Sequence, residues 1–232
     1  MQPLPAPRRV FVHGAGRRGQ DAWPHSDAVD GDFVSFESGS RIQDQVEVLI
    51  DAYSGGRILL HAHSLGAVPA VLAAASGRLD VDGLILVEPA LYDIARGEVA
   101  IERHIAIVTE ARARAEIDDL QGFWAIFRPL MFGGAFDAGR WDAERAAARR
   151  WAESNVPWGH GVRGGVISGI PTLVATGGWN EEYETIARVL SEHGGRHVVL
   201  DGANHRPQDL PGFASTVEEF ERSLEALSSR VK

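Results

Sequence analysis

The sequence predicts an α/β fold: a mostly parallel sheet of about six strands, helices on both faces, and a helical insertion after the fourth strand. Three observations carry this. Short apolar runs alternate with longer segments of helical periodicity. The runs end in turns built on Gly, Pro or Ser. The alternation is broken once, from about Leu91 to Gly165, where helical, Arg- and Ala-rich sequence continues without a strand-like run.

In order, Val10–His13 reads as the first strand, ending in Gly14-Ala15-Gly16, and Asp32–Phe36 as the second. Ile42 to Tyr53 places apolar residues on one helical face, and Gly55-Gly56 stops it. Arg57–Ala62 is the third strand, Ser64–Ser76 its helix, and Gly83–Val87 the fourth strand, closed by Glu88-Pro89. Strand signals resume at Pro171–Thr176, followed by Gly177-Gly178 and a helix over Glu181–His193. His197–Leu200 is the last strand and Phe213–Leu227 the last helix. This divides the chain into a core of 1–90 and 166–232 and a helical segment, 91–165, inserted where parallel sheets place their sites, so that it serves as a cap.

Composition narrows the function. A chain of 232 residues with 44% hydrophobic and 24% charged residues can bury a full core. A formal charge of -9 offers no basic excess for nucleic acid. With no cysteine, disulfides, thiolate chemistry and Cys-ligated zinc are excluded. Met1–Arg9 carries three prolines and no apolar stretch of the signal-peptide kind. No apolar run approaches the roughly 18 residues of a membrane span. The expectation is a cytoplasmic protein with no nucleic-acid or membrane partner.

The chemistry centres on Ile58–Ala70. An apolar run stops at a serine between small residues, and a second apolar run starts at once. Ala62-His63-Ser64-Leu65-Gly66 follows the nucleophile-elbow pattern G-x-S-x-G, with Ala in the first Gly position. Small residues two before and two after the serine let strand and helix backbones approach. A helix N-cap alone would also favour serine, but would not need them. Ser64 is therefore the candidate nucleophile.

The arrangement resembles the α/β-hydrolase fold family over nearly the whole chain. His13-Gly14-Ala15-Gly16, after the first strand, is similar to the family's oxyanion loop. Gly202-Ala203-Asn204-His205-Arg206-Pro207, after the last strand, is similar to the segment that carries its catalytic histidine. The resemblance implies His205 as the base and the backbone N–H groups of Leu65 and Ala15 as oxyanion donors. His13 and His63 are expected to be structural. The short segment before the first strand implies the short form of the sheet. Serine at the elbow argues against the aspartate-dependent epoxide and haloalkane chemistries of the family.

The acid departs from the family's pattern. Where the family often has aspartate, three residues after Gly177, this chain has Asn180. Glu88, at the end of the strand beside the nucleophile strand, is the first choice and Glu181 the second. Asn180 followed by Glu181 and Glu182 also has a complete reading as a helix cap with a favourable first turn. Asp201 and Asp209 are outside choices.

The insertion is rich in aromatics, and Trp124, Phe127, Phe132 and Trp158 are candidates for lining an apolar substrate pocket. Its arginines read as a solvated face. Gly14-Ala15-Gly16-Arg17-Arg18-Gly19 matches G-x-G-x-x-G, but no helix follows it directly, so it is not read as a dinucleotide site. The expected activity is a serine hydrolase without cofactor or metal. It would cleave an ester-like bond, as a carboxylesterase or lactonase, in a small, fairly apolar substrate through an acyl-enzyme. The alternatives are a carbon–carbon bond hydrolase with the same triad and a non-catalytic ligand-binding member of the fold.

Overall fold

The computed structural model describes residues 6–26, 31–37 and 39–230. The expectation for Met1–Arg9 falls largely on residues 1–5, outside the described set. The chain folds into two compact units, one formed by residues up to Ala95 together with those from Val156 onward, the other by Arg96–Asn155. The helical unit is thus shorter at both ends than the 91–165 segment read from sequence.

The first unit is built on six strands: β1 (Arg8–Val12), β2 (Gly31–Val34), β3 (Arg57–His63), β4 (Asp80–Val87), β5 (Thr172–Thr176) and β6 (Arg196–Val199). Their order is β2-β1-β3-β4-β5-β6, and every pairing is parallel. "Mostly parallel" becomes wholly parallel among the described residues. The fully buried run Leu84–Val87 is what such strands require, because both faces are covered. β4 starts at Asp80 rather than Gly83, and β2 stops at Val34 rather than Phe36. The early start carries Asp82 beside β3, where it pairs with Arg57.

Alternating residues face opposite sides of the sheet. On one face Phe11, Leu59, Ile85 and Leu173 form a cluster with Trp23 and with Phe213, Val217 and Phe220 of the last helix. That helix spans Pro211–Arg230. Of the remaining helices in this unit, one over Ala67–Ala75 lies against β3 and β4, one over Ile42–Tyr53 lies against it, and one over Glu181–Glu192 lies against β5 and β6. We number the helices in chain order α1 (Ile42–Tyr53), α2 (Ala67–Ala75), α3 (Val99–Glu116), α4 (Leu120–Phe132), α5 (Trp141–Ala152), α6 (Glu181–Glu192) and α7 (Pro211–Arg230).

The strand order sets where a site can form. The chain leaves β1 for the edge strand β2 and then returns past β1 to β3. The loops after β1 and β3 therefore diverge and open a crevice at the carboxyl edge, the topological switch point of an open parallel sheet.

The helical unit packs α3 against α4 and α4 against α5. Its centre is aromatic: Phe123 and Phe127 stack at 5.0 Å, and Trp151 meets Phe127 at 5.4 Å. Among the described residues, no helix is long and apolar enough to cross a membrane.

Candidate active site

Each carboxyl end of the five strands from β1 to β6, the edge strand β2 apart, contributes a piece of one polar constellation. β3 ends at His63, and Ser64 follows with φ 52. A left-handed backbone at a non-glycine residue is unfavourable, and here it lifts the side chain above the sheet before α2 begins. The close approach expected around it is present. A Cβ on Gly66 would lie 2.3 Å from the His13 carbonyl oxygen, so no larger residue fits there. The structure opens this helix with a single 3-10 turn, Ser64–Gly66, where a continuous helix from Ser64 was expected.

His205 lies in the loop after β6. The Ser64 hydroxyl donates to its Nε2 at 3.0 Å. Its Nδ1–H donates to Glu88 Oε2 at 3.4 Å. Glu88 follows β4, is fully buried and has φ 43. The Gly177 N–H donates to its other carboxylate oxygen at 2.6 Å, and the Trp179 indole N–H donates to Oε2 at 3.2 Å. A charged carboxylate out of water needs such donors. Gly177, at the end of β5, is close-packed as well: a Cβ there would sit 2.1 Å from the Asn204 carbonyl oxygen. Among the described residues four non-glycine positions have positive φ, and Ser64, Glu88 and Asn204 are three of them. Backbone strain is thus concentrated at this edge.

The structure brings Glu88 to His205 and leaves Glu181 exposed at the start of α6. The Asn180 side chain accepts from the Glu182 N–H at 2.7 Å, so it caps α6. Glu182 is buried and accepts from the Tyr92 hydroxyl at 2.7 Å. Asp209 is held by Arg206 through two bonds of 2.6 and 2.7 Å.

Leu65 and Ala15 are the expected oxyanion donors. Leu65 follows Ser64, in a first helical turn whose N–H groups have no partner within the helix and favour negative charge. Ala15 follows Gly14, where a Cβ would be 3.0 Å from the Ser64 Cβ. His13 and His63 hold backbone. His13 Nδ1–H donates to the Gly14 carbonyl at 2.6 Å, and His63 Nε2–H to the His205 carbonyl at 2.9 Å. Burial lowers the pKa of both, and the neighbouring His205 lowers that of His63 further, which keeps them neutral in these roles.

Two aromatics that no sequence motif marks also reach the site. Trp179 is one of the donors to Glu88. The Tyr183 ring lies 4.9 Å from that of His205. The pocket candidates are scattered. Trp124 and Phe127 are 3% and 5% exposed in the helical unit, where the Trp124 indole N–H donates to Glu144. Phe132, also there, is 55% exposed. Trp158 belongs to the sheet unit, 5.8 Å from Tyr92. No cluster of metal-ligating side chains occurs among the described residues. The G-x-G-x-x-G run is followed by a short 3-10 turn, Gly19–Ala22, not by an α-helix.

No family profile matches the sequence, and no curated protein sequence does. Solved structures do match. A carboxylesterase of the ammonia-oxidizing thaumarchaeon Nitrososphaera gargenis is 16% identical with a TM-score of 0.61, over 95% of this chain and 91% of its own. MenH from S. aureus is 17% identical with a TM-score of 0.66, over 94% of each chain. NosK from Streptomyces actuosus is 20% identical with a TM-score of 0.57, over 94% of this chain and 99% of its own. At such identity the likeness is one of fold.

Proposed function

The chain has the α/β-hydrolase fold, and on that fold we propose a serine hydrolase that cleaves an ester-like bond in a small, fairly apolar substrate. The observation that carries this reading is the continuous line from the Ser64 hydroxyl through His205 to Glu88, at 3.0 and 3.4 Å. A nucleophile, a base and a carboxylate that orients the base are the parts acyl transfer needs.

In the proposed reaction, Ser64 Oγ attacks the scissile carbonyl carbon as its proton passes to His205 Nε2. Glu88 holds the imidazole with Nδ1 protonated and stabilises the imidazolium. The Leu65 and Ala15 N–H groups receive the oxyanion. His205 gives the proton to the leaving oxygen, and the acyl group stays on Ser64. Water then attacks with His205 again as base, and Oγ leaves with that proton. No cofactor enters any step.

Labelling with a fluorophosphonate, together with turnover of p-nitrophenyl acetate and butyrate, tests this. Wild type should label at Ser64 and turn over, and Ser64→Ala should do neither, with a loss of at least about a thousandfold in kcat. Folded wild type that neither labels nor turns over would sink the reading in favour of a ligand-binding protein on the same fold. A screen of acyl chain lengths and lactones then selects among ester substrates.

A further inference from the structure

The imidazole of His205 is bordered by the rings of His63, Trp179 and Tyr183. Tyr183, in the first turn of α6, is 7% exposed, and its ring lies 4.9 Å from that of His205 with the planes 37° apart. For planes this near to parallel, 4.9 Å is too short for the rings to lie side by side, so the imidazole overlaps the face of the phenol ring. The other rings stand differently. That of His63 is 4.8 Å away at 51°, and its Nε2–H is committed to the His205 carbonyl. That of Trp179 is 6.2 Å away at 73°, and its N–H is committed to Glu88.

The charge on His205 changes during the proposed reaction. The ring starts neutral and becomes an imidazolium as it takes the Ser64 proton. An aromatic face carries a negative quadrupole and attracts a cation within about 6 Å of the ring centre, more strongly where water is excluded. The ionisable groups of the surrounding elements already have their partners. Glu88, after β4, meets His205 Nδ1 at 3.4 Å. His63, at the end of β3, is kept neutral by burial. Arg206, next in the chain, binds Asp209 and the Ala22 carbonyl. Glu182, beside Tyr183 in α6, accepts from the Tyr92 hydroxyl. The face of Tyr183 is what remains to respond to the new charge.

We propose that Tyr183 is a positioning residue for the base: the face of its ring stabilises the imidazolium form of His205 over the neutral form and so eases proton transfer from Ser64. The proposal rests on the serine-hydrolase reading. The Ser64 proton moves to His205 Nε2 and from there to the leaving oxygen, and Tyr183 neither gains nor loses a proton. Only an interaction that is stronger in the transition state than in the starting state changes the rate. On the alkaline plateau of kcat/KM the free enzyme holds a neutral His205 and the transition state an imidazolium, so the ring contributes. In the acid limb the free enzyme already holds the imidazolium. The same contact is then present in both states and cancels. The ring therefore raises the plateau and leaves the acid limb where it is.

The pH profile of kcat/KM for p-nitrophenyl butyrate, followed from the plateau down the acid limb, tests this. Tyr183→Phe keeps the ring and should stay within about twofold of wild type at every pH. Tyr183→Leu should lose about five- to tenfold on the plateau and coincide with wild type, within about twofold, in the acid limb. Replacing Tyr183 with pentafluorophenylalanine keeps a ring of similar shape but makes its face electron-poor. That variant should lose at least as much on the plateau as Tyr183→Leu, with the same coincidence in acid. A fall by one common factor at all pH values is what a merely structural role would give, and it would overturn the assignment. So would no fall in either variant, or a loss in Tyr183→Phe equal to that in Tyr183→Leu. If Tyr183→Leu fails to fold, the fluorinated variant decides alone. Wild type without labelling or turnover removes the serine-hydrolase reading itself. Wild type that turns over beside variants with parallel profiles removes only this inference.

Discussion

β3 carries two polar regions, and they are built in opposite ways. At its carboxyl end Ser64, His205, Glu88 and Gly177 form a closed set in which each buried polar atom meets a partner. Inside the same strand His61 is 3% exposed, and neither ring nitrogen has a partner among the described residues. It lies against Phe11 at 4.5 Å and borders a cavity of about 180 Å³, also lined by Trp23 and Gln208. The Trp23 indole nitrogen and the Gln208 side-chain oxygen are likewise unpartnered there. Satisfied buried groups hold a geometry, while an unsatisfied one costs stability. The edge of the sheet should thus govern turnover and its interior the tolerance to acid, and substitutions can separate the two.

Glu88→Gln should give the largest effect. The amide can still accept from the Gly177 N–H, so the local fold is kept. Its NH2 group, turned toward His205 Nδ1, would favour the wrong tautomer and carry no charge to balance an imidazolium. kcat/KM should fall by about a thousand- to ten-thousandfold, with thermal stability unchanged or raised because a neutral group is easier to bury. Adding Asn180→Asp should not rescue it, since the residue 180 side chain serves the Glu182 N–H. A fall of less than about tenfold would show that Glu88 is not the orienting acid.

The contrast between the regions also explains what could be read from the sequence. Strand ends are marked by apolar runs that stop at Gly, Ser or Pro, and this constellation hangs on strand ends, so Ser64, His205 and Glu88 were legible as positions. The start of β4 was not, because Asp80 and Asp82 look like loop residues until Arg57 of β3 is set beside Asp82. Glu88 could be ranked above Glu181 because it ends the strand beside the nucleophile strand, and because Asn180 already had a capping role to explain Glu181 and Glu182. Tyr183 left no signal. It lies in the first turn of a helix, and only the fold brings its ring to His205. His61 has no motif around it, and in sequence it is merely a polar interruption of an apolar strand.

The interior should answer to pH. Burial lowers the pKa of His61 to about 3. The unfolded chain takes up a proton near pH 6.5 and the native state does not until near 3, so between these values the unfolded state binds more protons and stability falls as pH falls. Above about pH 6.5 the effect vanishes. At pH 5 it amounts to about 2 kcal/mol. His61→Phe, which keeps a ring against Phe11, should recover about that much in urea unfolding at pH 5, with kcat/KM within about twofold of wild type. Part of the acid sensitivity should remain, because burial lowers the pKa of His13 and His63 in the same direction. Equal pH dependence in the variant and wild type would remove His61 from the account.

Trp179→Phe should give the smallest effect, and it marks the boundary of the closed set. Trp179 is 47% exposed, so little packing is lost on substitution. The indole N–H and the His205 Nδ1–H share one carboxylate oxygen of Glu88, while Gly177 holds the other. Without the indole donor, Glu88 is still fixed by backbone and still meets the imidazole, but one restraint on its rotation is gone. kcat/KM should fall about three- to fivefold, close to 1 kcal/mol for a half-exposed side-chain donor to a charged group. Ester kinetics and urea unfolding on the same preparation would read both consequences. A loss near that of Glu88→Gln would mean that the indole, rather than Gly177, sets the carboxylate's orientation. That would move the control of the base from the buried strand ends to a surface side chain.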